Sequence, residues 1–316
     1  EKTPEPTPPP PPPKSNAPTH QRYGPLDNPN TVELAKLFER NIPAATATLS
    51  KTTIKQWIAL EYRLSTKKLD ELETQGLYNH KAVEEAFEYA IIRIARGMVN
   101  NGVTSLKEYV DLYKKQANMA SRTSTSTIMQ QYSTPVPIAW LMNKFLNLVG
   151  RATNLTVYEP TAGNGMLLIG ANPAKTFANE LDSGSRFKNL LDFIPQFSTG
   201  IGNQFNVTNE DALNNIGGPD RGTMDRIVAN PPFGKAPGER QFDGYRLTKL
   251  EHQIVAEALS KMKDDGKAAF IIGGHNYRQE IRDENGKVVS SMNTMSSADK
   301  TFLNYLYNTF NVTHNI

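Results

Sequence analysis

Between about Pro29 and Met119, apolar residues recur at intervals of three and four, the spacing that lines one face of an α-helix. The stretch "NTVELAKLFERNI" opens on Asn30, a residue suited to capping a helix N-terminus. In "HKAVEEAFEYAIIRIARGM" the side chains of Val83, Phe87, Ile91 and Ile94 share one face, and "SLKEYVDLYKKQ" repeats the style. Such stripes predict a packed helical layer and carry no catalytic motif. After the polar stretch Ser121 to Thr127 the grammar changes. Short apolar runs, "LTVYE" (155–159), "AKTFANE" (174–180), "DRIVAN" (225–230) and "KAAFIIG" (267–273), alternate with helical patterns. Strands separated by helices predict a doubly wound parallel sheet whose ligands sit at the carboxyl ends of the strands. The final "NTFNVTHNI" reads as a sixth strand, so a closing strand is expected to be missing from this chain.

The organisation expected is therefore a proline-rich tail or linker over 1–28, a helical domain over 29–125, and an α/β domain over 126–316, truncated at its C-terminal end. The unbroken run Pro8 to Pro13 favours extended polyproline II. Among the 316 residues, 35 basic and 32 acidic side chains leave a net charge of +3, so a nucleic-acid partner has to be argued locally. The absence of cysteine removes disulfides, cysteine-ligated metals and cysteine nucleophiles, and fits a cytoplasmic protein. His20, His80, His252, His275 and His314 show no metal-ligand spacing, and no metal is expected. His275, just after "AAFIIGG", borders the expected pocket or sits in a loop. No apolar run reaches the length of a membrane span. The chain opens on Glu1 rather than Met, as a piece of a longer polypeptide or a processed form would.

The informative residues lie just past each apolar run. The first ends in "EPTAGNGMLL", where Gly163 and Gly165 predict a turn free of side chains, with unpaired N–H groups at the start of a following helix. Leu168 stands where a dinucleotide fingerprint would have its third glycine. The second run ends in "NELD", and a carboxylate there suits the hydroxyls of a ribose. Asp211, in "NEDAL", has the chemistry to accept a hydrogen bond from the exocyclic amine of an adenine ring. The fourth run delivers Asn230, Pro231, Pro232 and Phe233. Singly, these features also read as a ligand-free tight turn, a solvated acid at a helix start, and a rigid turn ending a strand. Their order along the chain is more specific.

In that order, the stretch from about 130 to 272 resembles the S-adenosylmethionine-dependent amino-methyltransferases that modify adenine in DNA. The upstream "QQYSTPVPIAWLMNKF" is similar to the segment that precedes the glycine turn in their gamma class. The resemblance implies a Rossmann-like methyltransferase sheet, with S-adenosylmethionine as cofactor and DNA as partner. Thr134 and Pro135 would line the methionine end of the cofactor, and Tyr132 would also bind the cofactor. Glu159, Pro160, Thr161, Ala162, Gly163 and Gly165 would form the first cofactor turn, Glu180 would hold the ribose, and Asp211 would meet the adenine. Phe233 stands where tyrosine is frequent, which removes a hydroxyl and keeps the ring face.

That resemblance gives the catalytic role of a motif that has no acid, base or nucleophile. The lone pair of an adenine amine is delocalised into the ring, so the nitrogen needs acceptors for its hydrogens more than it needs a base. The Asn230 side-chain oxygen and the Pro231 carbonyl would take the two amino hydrogens and favour the pyramidal nitrogen of the transition state. The prolines stiffen the backbone and remove competing N–H donors, and Phe233 offers a face to a base pulled from its stack. Lys235, Arg240, Arg246 and Lys249, in "GKAPGERQFDGYRLTK", bind phosphates beside that base or belong to a solvated loop.

Two other readings stay open. Glutamine-N5 methylating enzymes of release factors also use Asn-Pro-Pro followed by an aromatic ring, which admits a protein or RNA methyltransferase. The other is a non-catalytic cofactor-binding module: the proline-rich start, helical region and methyltransferase core also resemble large phage or plasmid antirestriction proteins, in which such a domain precedes a helicase-like region. Further domains of the same polypeptide would then be partners.

Overall fold

The computed structural model describes residues 22–117, 133–149, 154–195, 206–273 and 276–315. The run of prolines, His20, the polar stretch 121–127, Tyr132 and His275 lie outside the described residues.

Five α-helices open the described chain: α1 (Thr31–Asn41), α2 (Lys51–Glu61), α3 (Thr66–Thr74), α4 (His80–Asn100) and α5 (Leu106–Lys115). The Asn30 side chain caps α1 by accepting from the Glu33 N–H at 3.2 Å, and Ser50, Ser65 and Asn79 cap the next three in the same way. Val83, Phe87 and Ile91 are buried on α4, with Ile94 packed against them. The helix α6 (Val136–Phe145) then leads into the sheet.

The central sheet is formed by β1 (Val157–Glu159), β2 (Thr176–Asn179), β3 (Val207–Thr208), β4 (Met224–Ala229) and β7 (Met262–Phe270). Its order is β3-β2-β1-β4-β7 and every pairing is parallel, a mixed α/β, Rossmann-like architecture. The helix α7 (Ser185–Phe193) joins β2 to β3, and α8 (Leu250–Leu259) leads into β7. The chain builds outward from β1 to β3 and then returns to place β4 on the other side of β1. The gap outside the carboxyl ends of β1 and β4 is thus the topological switch point.

Strand side chains alternate between the faces of the sheet. Val157 and Val228 enter a core that runs without a break into the helical layer, through Leu190 of α7 to Phe38 and Ile91. Their neighbours Tyr158 and Ile227 face the other way, against Ala258 of α8. Below the site, the Asp225 carboxylate accepts from the Thr156 N–H at 2.7 Å and pairs with Lys263 at 2.6 Å, clamping β4 to its two neighbours.

Four sequence expectations differ from the structure. A three-residue 3-10 turn, Met166–Leu168, follows the glycines in place of a helix. Just after it the chain packs closely at Gly170, where a Cβ would come within 2.7 Å of the Leu148 carbonyl oxygen. The basic stretch after Phe233 is a hairpin, β5 (Lys235–Phe242) and β6 (Tyr245–Lys249), rather than a loop. Its turn residues Asp243 and Gly244 both have positive φ, 48° and 84°, the geometry that Asp-Gly hairpin turns require. The last strand of the sheet starts at Met262, five residues ahead of the "KAAFIIG" run, and ends at Phe270. Finally, the terminal "NTFNVTHNI" is no strand: the helix α9 (Ser297–Thr309) runs into it, and 311–315 pair with no strand. A second hairpin, β8 (Asn276–Arg282) with β9 (Val288–Met295), precedes α9.

Candidate active site

At the switch point lies a cleft of about 160 Å³. Of the residues singled out by sequence, Thr134, Glu159, Pro160, Thr161, Ala162, Gly163, Glu180, Asp211, Asn230 and Pro232 line it. Pro135, Gly165, Pro231 and Phe233 are not among the residues that line it. Glu88, Ser133, Leu181 and Arg186 also line the cleft and were given no role by sequence. Ser133 and Leu181 lie inside the segments that carry Thr134 and Glu180. Glu88 comes from α4, and only tertiary packing brings it here.

The glycine turn is held by side chains reaching across it. Glu180 accepts from the Gly163 N–H at 2.7 Å through Oε2 and from the Asp182 N–H at 2.8 Å through Oε1. Gly163 and Gly165 have φ of +56° and +89°, a region where an L side chain is strained. At Gly165 a Cβ would also come within 3.3 Å of Leu190 Cδ2, so the turn lies against α7 with no room for a side chain.

Ionisable side chains are concentrated in the cleft. Burial and the neighbouring Glu180 hold the Glu159 carboxyl well above the usual carboxylate range. Burial also raises Glu180, against the opposing pull of the Asp182 N–H and of Arg186. Glu159 Oε2 and Thr161 Oγ1 are buried in the wall without a hydrogen-bond partner among the described residues. Each unsatisfied buried polar atom costs about 1–3 kcal/mol, which a ligand donor or acceptor placed there would recover.

Asn230 follows β4, its side-chain amide donating to Thr134 Oγ1 at 3.1 Å. That bond fixes which way the amide points and leaves Oδ1 as its acceptor for a substrate. Just beyond, the buried Glu251 carboxylate accepts from the Gly234 N–H at 2.8 Å and anchors the exit of the Asn-Pro-Pro-Phe turn. Of the basic residues on the hairpin, three have partners within the fold. Arg240 donates to the Leu213 carbonyl at 2.7 Å, Arg246 pairs with Glu239, and Lys249 pairs with Asp299 at 2.6 Å. Arg240 thereby ties the hairpin to the loop that carries Asp211. Among the described residues no group of acids and histidines is arranged to hold a metal ion, and no helix is long and apolar enough to cross a membrane.

No protein-family model matches the chain, and no curated protein matches it. Solved structures do match. A type I restriction-modification system methyltransferase subunit from Streptococcus thermophilus is 17% identical, with a TM-score of 0.37 over 80% of this chain and 71% of that one. A proposed RNA methyltransferase from Pyrococcus horikoshii is 18% identical, with a TM-score of 0.33 over 50% of this chain and 68% of the other. A proposed class I S-adenosylmethionine-dependent methyltransferase from Listeria monocytogenes is 13% identical, with a TM-score of 0.31 over 76% and 72%. The sheet order and cleft described above stand independently of these likenesses.

Proposed function

We propose that the chain transfers a methyl group from S-adenosylmethionine to the exocyclic N6 amine of adenine in DNA. One observation carries the reading. The Asn230 acceptor, oriented by Thr134, opens onto the same cleft as the unsatisfied Glu159 and Thr161 and the glycine turn. A cationic, hydroxyl-bearing ligand fits such a wall. Buried carboxyls raised above their usual range regain their charge beside a cation, and Glu180 retains acceptor capacity for ribose hydroxyls after its two backbone bonds.

When bound there, S-adenosylmethionine supplies an electrophilic methyl group on a sulfonium. Gly163 and Gly165 let the backbone approach it, Glu180 holds the ribose, Asp211 meets the adenine of the cofactor, and Thr134 and Pro135 border its methionine end. Asn230 Oδ1 and the Pro231 carbonyl accept the two hydrogens of the target amine, which localises the nitrogen lone pair for attack on the methyl carbon. Transfer to that nitrogen would break the methyl carbon–sulfur bond, its electrons staying on sulfur, and the extra proton on nitrogen would leave to water. Pro232 keeps the turn rigid, and Phe233 stacks on the extruded base, offsetting about 1–3 kcal/mol of the cost of flipping it.

The test incubates the chain with methyl-labelled cofactor and, separately, duplex DNA, single-stranded DNA, RNA or a release factor bearing a glutamine acceptor. Mass spectrometry then identifies the modified group. Label on N6 of adenine in DNA is expected. Label on glutamine or RNA alone replaces DNA with that acceptor, and no transfer to any of them refutes the enzymatic reading.

A further inference from the structure

On α4, Glu85 and Glu88 lie one helical turn apart and are used differently. Glu85 is buried, and its carboxylate takes Arg186 Nε at 3.0 Å, Lys81 and the side-chain amide of Asn164 in the glycine turn. Glu88 accepts from Ser133 and lines the cleft. Arg186 lines it too and is only 7% exposed. Among the described residues its hydrogen-bond acceptor is Glu85, reached through Nε alone. The terminal nitrogens of the guanidinium make no hydrogen bond among the described residues, although Glu88 and Glu180 lie close enough to act on its charge, and Nη1 lies 3.9 Å from where a Cβ on Gly163 would stand. With no side chain at Gly163, the guanidinium tip faces the turn.

One end of the cleft therefore presents a cation and a carboxyl group, both held by the fold before any ligand arrives. A single ligand group that answers both at once carries a carboxylate and an ammonium on neighbouring atoms. We infer that this end of the cleft is a receptor for an α-amino-acid group, with Arg186 donating to its carboxylate and Glu88 of the helical layer accepting from its ammonium. The inference rests on the reading that S-adenosylmethionine occupies the cleft, and adds that the helical layer supplies part of the cofactor site. Pairing with the carboxylate also suits the guanidinium, whose planar fork of N–H donors matches it. The state of Glu88 is consistent: burial and the nearby Glu85 raise its carboxyl despite the opposing pull of Arg186, and a bound ammonium would bring it back down.

Calorimetry on the full chain tests this with three probes: S-adenosylhomocysteine, its analogue without the amino group, and its analogue without the carboxylate. Each deletion should weaken binding to the unaltered chain by about tenfold to a hundredfold, the range for hydrogen bonds to charged groups. Glu88→Gln should weaken S-adenosylhomocysteine by about tenfold while leaving the affinity of the deaminated analogue unchanged, since the partner of Glu88 is already missing. Equal weakening of both ligands, or of neither, overturns the assignment of Glu88. Equal affinity of the unaltered chain for all three probes overturns the receptor while leaving the cofactor reading intact. Binding of none of them sinks both. Because the comparison among probes on the unaltered chain needs no substitution, it decides whether the receptor exists even if Glu88→Gln fails to fold.

Discussion

Replacing Glu85 with leucine would strand the most buried cation of the molecule's site. The Glu85 and Arg186 side chains are 2% and 8% exposed, and burial alone would push both toward neutrality. Each charge is kept by the other. Burial is outweighed by Arg186 and Lys81, so the Glu85 carboxyl is held below the usual carboxylate range, and Glu85 in turn raises Arg186. Removing one partner of such a pair costs about 3–5 kcal/mol, because the other charge stays buried and uncompensated. Lys81, at 30% exposure, adds little, and the lost acceptor for Asn164 adds about 1 kcal/mol. The charge of Glu88 offsets part of this, so a loss near 3 kcal/mol is expected in urea unfolding at pH 7. The double variant Glu85→Leu/Arg186→Met removes both charges and should return to within about 1–2 kcal/mol of the unaltered protein. A folded-state carboxyl held low stabilises above its unfolded value, about 4.3, and that stability is lost as pH falls through the folded value. The deficit of Glu85→Leu should therefore shrink in acid. A single-variant loss under about 1 kcal/mol, or a double variant no better than the single, would refute the reasoning.

Asn230→Ala should abolish methyl transfer while changing cofactor affinity little, measured by single-turnover assay and calorimetry; equal loss of both would make Asn230 structural. Thr134→Val removes the acceptor that orients the Asn230 amide, so kcat should fall about tenfold or more with a smaller effect on substrate KM. Glu159→Gln should make the ligand-free protein more stable at neutral pH in thermal melts. The raised carboxyl contributes stability that is fully present below about pH 4.3 and lost as pH rises through its folded value, and glutamine has no proton to lose. The same variant should bind S-adenosylmethionine more weakly, and a variant both less stable and tighter binding would contradict the account. Gly165→Ala, at φ +89° and against Leu190, should cost about 1 kcal/mol or more in the same melts.

Much of the fold was legible because strands and helices imprint different periods. The runs at 155–159, 174–180 and 225–230 contain the observed strands β1 and β2 and all but the first residue of β4. The residues that close those strands meet in one cleft because a parallel sheet puts all its carboxyl ends on one edge. Legibility fails where an element obeys neither period. The strand β3 has only two residues, Val207 and Thr208, and β7 begins in the charged "MKDDGK", whose side chains are largely half-buried or exposed. The hairpin after Phe233 did carry its mark, the Asp243-Gly244 pair between aromatic residues, but its many charges read as a loop. Arg186 and Glu85 are a different case. Periodicity says which face of a helix is buried, and nothing in it says that a buried glutamate will meet an arginine 101 positions away.

The bonds that hold the glycine turn have a consequence for how the chain folds. Thr31 Oγ1 donates to Asn189 at 2.9 Å, Asn189 donates to Asn164 at 2.8 Å, and Asn164 donates to Glu85. The links of that relay span 158, 25 and 79 positions along the chain. Closing such loops costs entropy, and the turn is complete only once all three links are made. The turn therefore matures only when the N-terminal helices have docked, and a half-folded chain with a finished sheet should be unable to hold the ligand. Ligand at a hundred times its dissociation constant would then add about 2.7 kcal/mol to the whole described fold rather than to the sheet alone. In hydrogen exchange, amides of α1 and α4 should slow on ligand addition in step with those of β1.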